Sequence, residues 1–120
     1  MIHILLIEDD VGILESTAEL LELEGYRITT ATNGKEGLQK IFHLIPDLVI
    51  CDIVMPVMDG YELLEKIGIQ PTFSAIPFIF FSAKSEKNDI KHGLSMGAVD
   101  YLTKPFELDE LLLVIKNSLQ

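Results

Sequence analysis

Two arrangements of apolar residues alternate along this chain. Short runs rich in apolar and β-branched residues lie at 2–7, 27–31, 48–51, 78–81 and, more weakly, 99–102, the length of buried strands. Between them, apolar residues recur at three-and-four spacing, which predicts helices over 11–24, 34–43, 59–69, 86–95 and 107–119. In the first helix Ile13, Thr17, Leu20, Leu21 and Glu24 form the expected core stripe, with Leu14 at its edge and Gly25 as the stop. Asn33-Gly34, Ile45-Pro46, Met58-Asp59-Gly60, Ile76-Pro77 and Gly97 punctuate the remainder.

Strand followed by helix, five times, predicts an α/β domain: a doubly wound parallel sheet with helices on both faces. Parallel neighbours need a crossover, and each apolar strand must be covered. Chain order alone does not give the order of strands. At 120 residues with 48% hydrophobic content, the sequence reads as a single domain over 1–120.

Charge and cysteine content narrow the class. Nine Lys plus Arg against 19 Asp plus Glu give a net charge of −10 and no basic cluster to track phosphates, so no nucleic-acid partner is expected. Cys51 is the only cysteine, set in the run Leu48-Val49-Ile50-Cys51, which predicts a small buried thiol and no disulfide. No apolar run approaches the roughly 20 residues of a membrane span, and the apolar start lacks a basic leader. A soluble, cytoplasmic protein with no membrane contact is expected.

The chemistry is concentrated at strand ends, where open α/β sheets bind ligands. The first strand ends in Glu8-Asp9-Asp10 and the third in Asp52. Close carboxylates repel and burial raises their cost, so several together need a cation or extra donors. Mg²⁺ suits one or two carboxylates while keeping waters and phosphate oxygens, which points to phosphoryl chemistry. The plain alternative is capping of the following helix; it stands level for Asp10 and is weaker for Asp52, after which no helix begins at once. Ser82 and Lys104 end the fourth and fifth strands and offer a hydroxyl donor and a positive charge to the same edge.

Four segments narrow the possibilities further. Ile4-Leu5-Leu6-Ile7-Glu8-Asp9-Asp10, Pro46-Asp47-Leu48-Val49-Ile50-Cys51-Asp52-Ile53-Val54-Met55-Pro56-Val57-Met58-Asp59-Gly60, Ile79-Phe80-Phe81-Ser82-Ala83 and Gly97-Ala98-Val99-Asp100-Tyr101-Leu102-Thr103-Lys104-Pro105-Phe106 closely resemble the receiver domains of two-component response regulators, in order and spacing. The resemblance implies a flavodoxin-like (βα)5 sheet in the order 2-1-3-4-5. It implies Asp52 as phosphoacceptor and Mg²⁺ held by Glu8, Asp9, Asp52 and the backbone carbonyl of Val54. Ser82 and Lys104 then contact the phosphoryl group, Tyr101 is the aromatic switch residue that turns inward with Ser82, and Lys104-Pro105 is a cis peptide. Gly60 and Pro56 look like shapers of the loop backbone.

The implied function is a signalling domain, not an enzyme in the ordinary sense. A sensor histidine kinase or histidine phosphotransfer protein donates the phosphoryl group, and a surface of the fourth helix, fifth strand and fifth helix is switched toward an output domain, an effector or a homodimer. Departures from the family pattern refine this. Val54 and Lys84 hold positions that tune water access, and neither can orient water as a carboxylate or amide does, so slow hydrolysis is expected. Leu108, Leu111, Leu112, Ile115 and Leu119 form the core stripe of the last helix, leaving Leu113 and Val114 less buried, either open to a hydrophobic partner or dimer contact or, equally, tucked under neighbouring loops. Leu14, beside Glu15, Glu19 and Glu22, is expected to be partly exposed as a donor docking point.

Two alternatives come from other classes. An Asp-nucleophile phosphatase or phosphotransferase would place its nucleophile at the first strand and add a cap, for which 120 residues leave no room. A receiver-like binding module that is never phosphorylated would not need Glu8, Asp9, Asp52, Ser82 and Lys104 all present. The chain is expected to be either a stand-alone receiver or part of a longer regulator or hybrid kinase.

Overall fold

The computed structural model describes residues 1–120. The elements are β1 (His3–Ile7), α1 (Val11–Leu23), β2 (Arg27–Ala31), α2 (Gly34–Leu44), β3 (Leu48–Cys51), α3 (Gly60–Gly68), β4 (Phe78–Ser82), α4 (Lys87–Ser95), β5 (Asp100–Thr103) and α5 (Leu108–Ser118). All strands are parallel and lie in the order β2-β1-β3-β4-β5. Expected boundaries hold to within one residue. The weak fifth strand is the instructive case: it starts at Asp100, while Val99 is 52% exposed.

Alternate residues of the central strands feed two separate cores, as side chains of period two must. Leu5, Ile7, Val49, Cys51, Phe78 and Phe80 pack toward α2 and α3 with Ile41, Leu63 and Ile67. Ile4, Leu6, Leu48, Ile50, Ile79 and Phe81 pack the other way, toward α1 and α5 with Leu14, Leu21, Leu111 and Ile115. Polar caps start three of the helices: Asp10 accepts from Ile13 N–H, Asn33 from Glu36 N–H, and Asp59 from Glu62 N–H in a reciprocal capping box.

The phase of α1 differs from expectation. Leu14, Thr17, Ala18 and Leu21 are buried, whereas Ile13 and Leu20 are 36% and 43% exposed. Ala18 is small and carries little hydrophobic signal, yet it is buried in one cluster with Leu14 and Leu21. Leu14, at 4% exposure, is therefore no docking point; Ile13 shows that face to solvent instead. On α5 Leu113 is exposed as expected, but Val114 is half-buried against the core shared with α1.

Candidate phosphoacceptor and metal site

Parallel register carries the site's carboxylates to one edge. Ile7 pairs with Cys51, so Glu8 and Asp52 each follow the last paired residue of adjacent strands. Asp52 N–H still donates to Ile7 O at 3.0 Å, and Glu8 N–H to Ala31 O at 3.0 Å, so both backbones remain in the ladder. Their side chains are buried, Glu8 at 1% and Asp52 at 7% exposure. Asp9 sits on the exposed lip beside them, and one carboxylate oxygen from each of the three lies within 4.8 Å of the others.

One ammonium offsets part of this charge. Lys104 Nζ contacts Glu8 Oε1 and lies 3.3 Å from Asp52 Oδ2. Burial opposes its charge, but the Glu8 hydrogen bond and the charges of Asp52 and Glu8 overcome that and hold the amine above its usual range. The ammonium also lies 4.7 Å from the centroid of the Phe81 ring. Lys104 reaches the site from the end of β5, where its N–H donates to Ser82 O at 2.8 Å and the Lys104-Pro105 bond is cis. Lost hydration, the hydrogen bond that its protonated form can donate to Glu8, and the Glu8 charge hold the Asp9 carboxyl above the ordinary carboxylate range.

Asp52 is held from both sides. Oδ1 accepts from Ile53 N–H at 2.7 Å, and Oδ2 faces Lys104. Gly60 is packed so tightly behind it that a Cβ there would stand 2.3 Å from Asp52 O; this glycine is required for space. Asp10, by contrast, caps α1 with Oδ1 3.1 Å from Ile13 N, which settles the choice left open for it. Cys51 is fully buried, and burial with the charges of Asp52 and Glu8 pushes its thiol far up, an inert group.

Ser82 ends β4 with 1% exposure, its Oγ accepting from Lys84 N–H at 3.2 Å. Tyr101 is turned inward, 8% exposed, and its hydroxyl donates to Lys84 O at 2.7 Å. The loop after β4 is thus tied to β5 through the backbone of Lys84. Sequence reasoning missed this link, and it brought Glu8 and Lys104 to one edge without pairing them, because no local pattern signals which distant group a side chain will contact. Val54, 61% exposed, and Lys84, also exposed, leave no carboxylate or amide over Asp52. Beside the site, Ile13, Ala83, Lys104, Pro105 and Phe106 line an apolar cavity of about 410 Å³.

No helix is long and apolar enough to cross a membrane. The response regulator receiver domain family matches residues 4–116. Response regulator SaeR of Staphylococcus aureus (strain USA300) is 38% identical over 119 residues, 99% of this chain and 51% of the relative. The chain spans about half the length of the curated relatives it matches. The Francisella response regulator 1452 receiver domain superposes with a TM-score of 0.93 at 33% identity, covering 99% of this chain and 97% of that one. The non-phosphorylated HemR receiver domain of Leptospira biflexa gives 0.90 at 31%, covering 100% and 95%. Chemotaxis response regulator CheY4 of Vibrio cholerae gives 0.92 at 28%, covering 98% of each. With this fold, this acidic edge and these relatives, the chain belongs to the receiver domain family of two-component response regulators.

Proposed function

We propose that this receiver takes a phosphoryl group on Asp52 from the phosphohistidine of a sensor histidine kinase or histidine phosphotransfer protein. The observation that carries this reading is a buried, Lys104-paired Asp52 with Glu8 and Asp9 inside one ligand-sized cluster. The donor set fits Mg²⁺: Glu8, Asp9, Asp52 and the Val54 carbonyl are all hard oxygen donors, and exposed Asp9 leaves room for the ion's waters. When bound, the ion supplies positive charge to the phosphoryl oxygens.

The chain's own residues do the rest. An ionised Asp52 needs no general base: a carboxylate oxygen bonds to phosphorus as the bond from phosphorus to the donor imidazole nitrogen breaks, through a loose transition state. Lys104 neutralises charge on a phosphoryl oxygen, and the Ser82 hydroxyl donates to another. The apolar cavity beside Lys104, with Ile13 at its rim, is a fitting seat for the donor protein. Phosphorylation adds roughly −1.5 to −2 charge, and the tie from Tyr101 to Lys84 O carries the change to α4, β5 and α5. That surface then meets an output domain, an effector or a second copy.

Intact-mass measurement with acetyl phosphate and Mg²⁺ tests the chemistry. The wild type should gain one phosphoryl mass, Asp52→Asn none, and chelation of Mg²⁺ should abolish the gain. An equal gain by Asp52→Asn overturns the assignment. Following the mass after donor removal tests persistence: with Val54 and Lys84 in place the phosphoryl group should outlast the removal, and immediate loss sinks that part.

A further inference from the structure

The loop that follows Asp52 is strained at its tip. Val57, a β-branched residue, has φ 71° at the centre of a three-residue turn in which Met58 N–H donates to Pro56 O at 2.8 Å. Such a backbone persists only where its surroundings over-determine it. The Val57 side chain is 75% exposed and holds nothing in place. The base of the loop is fastened by Gly60 N–H donating to Ile53 O at 2.8 Å.

What meets the tip comes from another part of the fold. Met58 O, the first carbonyl after Val57, accepts from Gly34 N–H at 3.0 Å. Gly34 opens α2, where the N–H has no partner within the helix and the helix end carries partial positive charge. A Cβ on Gly34 would stand 2.5 Å from Met58 O and 3.0 Å from Met58 C, both backbone atoms that cannot swing aside. Its φ is not in the left-handed region, so the glycine is needed for close approach.

We infer that Gly34 is a positioning residue for the metal site: it grips Met58 O, holds the strained turn in place, and so keeps the segment back to Val54 in the shape that presents its carbonyl. This rests on the reading that Val54 O joins Glu8, Asp9 and Asp52 around Mg²⁺. Gly34 never touches the ion; its effect passes through the loop backbone, as that of an outer-shell partner passes through a ligand.

The test is a Mg²⁺ titration by calorimetry on the wild type, Gly34→Ala and two controls. Gly68→Ala adds a Cβ into open space, and Ile115→Val trims the core on the opposite face of the sheet. Gly34→Ala should weaken Mg²⁺ binding about tenfold or more, the usual cost of losing outer-shell support, with both controls near wild type. Undiminished affinity in Gly34→Ala, or an equal loss in Ile115→Val, overturns the inference. A second measurement needs no variant. Because coupling is reciprocal, saturating Mg²⁺ should slow hydrogen exchange at the Gly34 amide of the wild type, and exchange indifferent to the ion overturns the role even if Gly34→Ala fails to fold. A wild type that takes up no Mg²⁺ sinks the metal reading itself, whereas binding shared equally by Gly34→Ala sinks only the positioning role.

Discussion

Two buried carboxylates, Glu8 and Asp52, depend on one ammonium, so at the scale of single residues Lys104 has a structural duty apart from its proposed phosphoryl chemistry. Replacing it by Met leaves both charges without a counterion, at a cost of roughly 3 kcal/mol where a buried pair is broken. Urea unfolding of Lys104→Met should show that loss, and millimolar Mg²⁺ should recover part of it; a variant as stable as wild type without the ion refutes the balance described. His3, at the opposite end of β1, gives a pH dependence. Its Nε2 lies 2.7 Å from Thr29 Oγ1, and burial, then the Arg27 charge, lower its pKa from 6.5, with Asp47 opposing. The fold thus prefers neutral imidazole, and the unfolded chain binds more protons between the two values. This contribution is fully present above pH 6.5 and fades as pH falls through the lowered folded value. His3→Gln should be less acid-sensitive than wild type in unfolding midpoints compared between roughly pH 7.5 and 5.5; parallel profiles count against it.

Among the elements, the segment between β3 and α3 leaves relaxed geometry at Val57, whose φ is 71°. Strained backbone of the kind at Val57 costs of order 1–3 kcal/mol, and the exposed side chain returns no packing for it. Val57→Gly removes the steric conflict but adds roughly 0.5–1 kcal/mol of chain entropy to be lost on folding. The net expectation is a gain of about 1 kcal/mol, read as a higher urea midpoint with unchanged slope. Val57→Ala keeps a Cβ at positive φ and should gain less. A less stable Val57→Gly would mean that the turn is not strained.

For the molecule as a whole, Leu94 on α4, Val99 just before β5 and Leu113 on α5 are 42%, 52% and 59% exposed, around the strand that carries Tyr101. Under the switching role proposed for Tyr101, apolar side chains left in water beside it suit a surface that is covered when the switch moves. Leu113→Asp should leave uptake of the phosphoryl group and stability nearly unchanged while weakening association of the phosphorylated chain, measured by sedimentation. A phosphorylated wild type that stays monomeric ends the dimer reading, and equal association of the variant removes Leu113 from the contact.

Five strands and five helices were legible in the order of residues alone, since apolar runs and helical stripes are local, and their bounds agree with the structure to about one residue. The sequence also marked Glu8, Asp9, Asp52, Ser82 and Lys104, because a polar residue closing an apolar run stands out, and the resemblance ordered the strands that bring them to one edge. Tertiary structure decided what no local pattern encodes. It rotated α1 so that Leu14 and Ala18 face the sheet, because helix phase depends on the neighbour's shape as well as on the count of apolar residues. It paired Lys104 with Glu8, 96 residues away, and tied Tyr101 to a backbone carbonyl of Lys84. It brought Gly34 against Met58, a contact of backbone atoms that leaves no trace in side-chain chemistry beyond the glycine itself. Periodicity and residue type report what each segment needs to bury or solvate; which distant group satisfies that need is fixed only when the chain closes on itself.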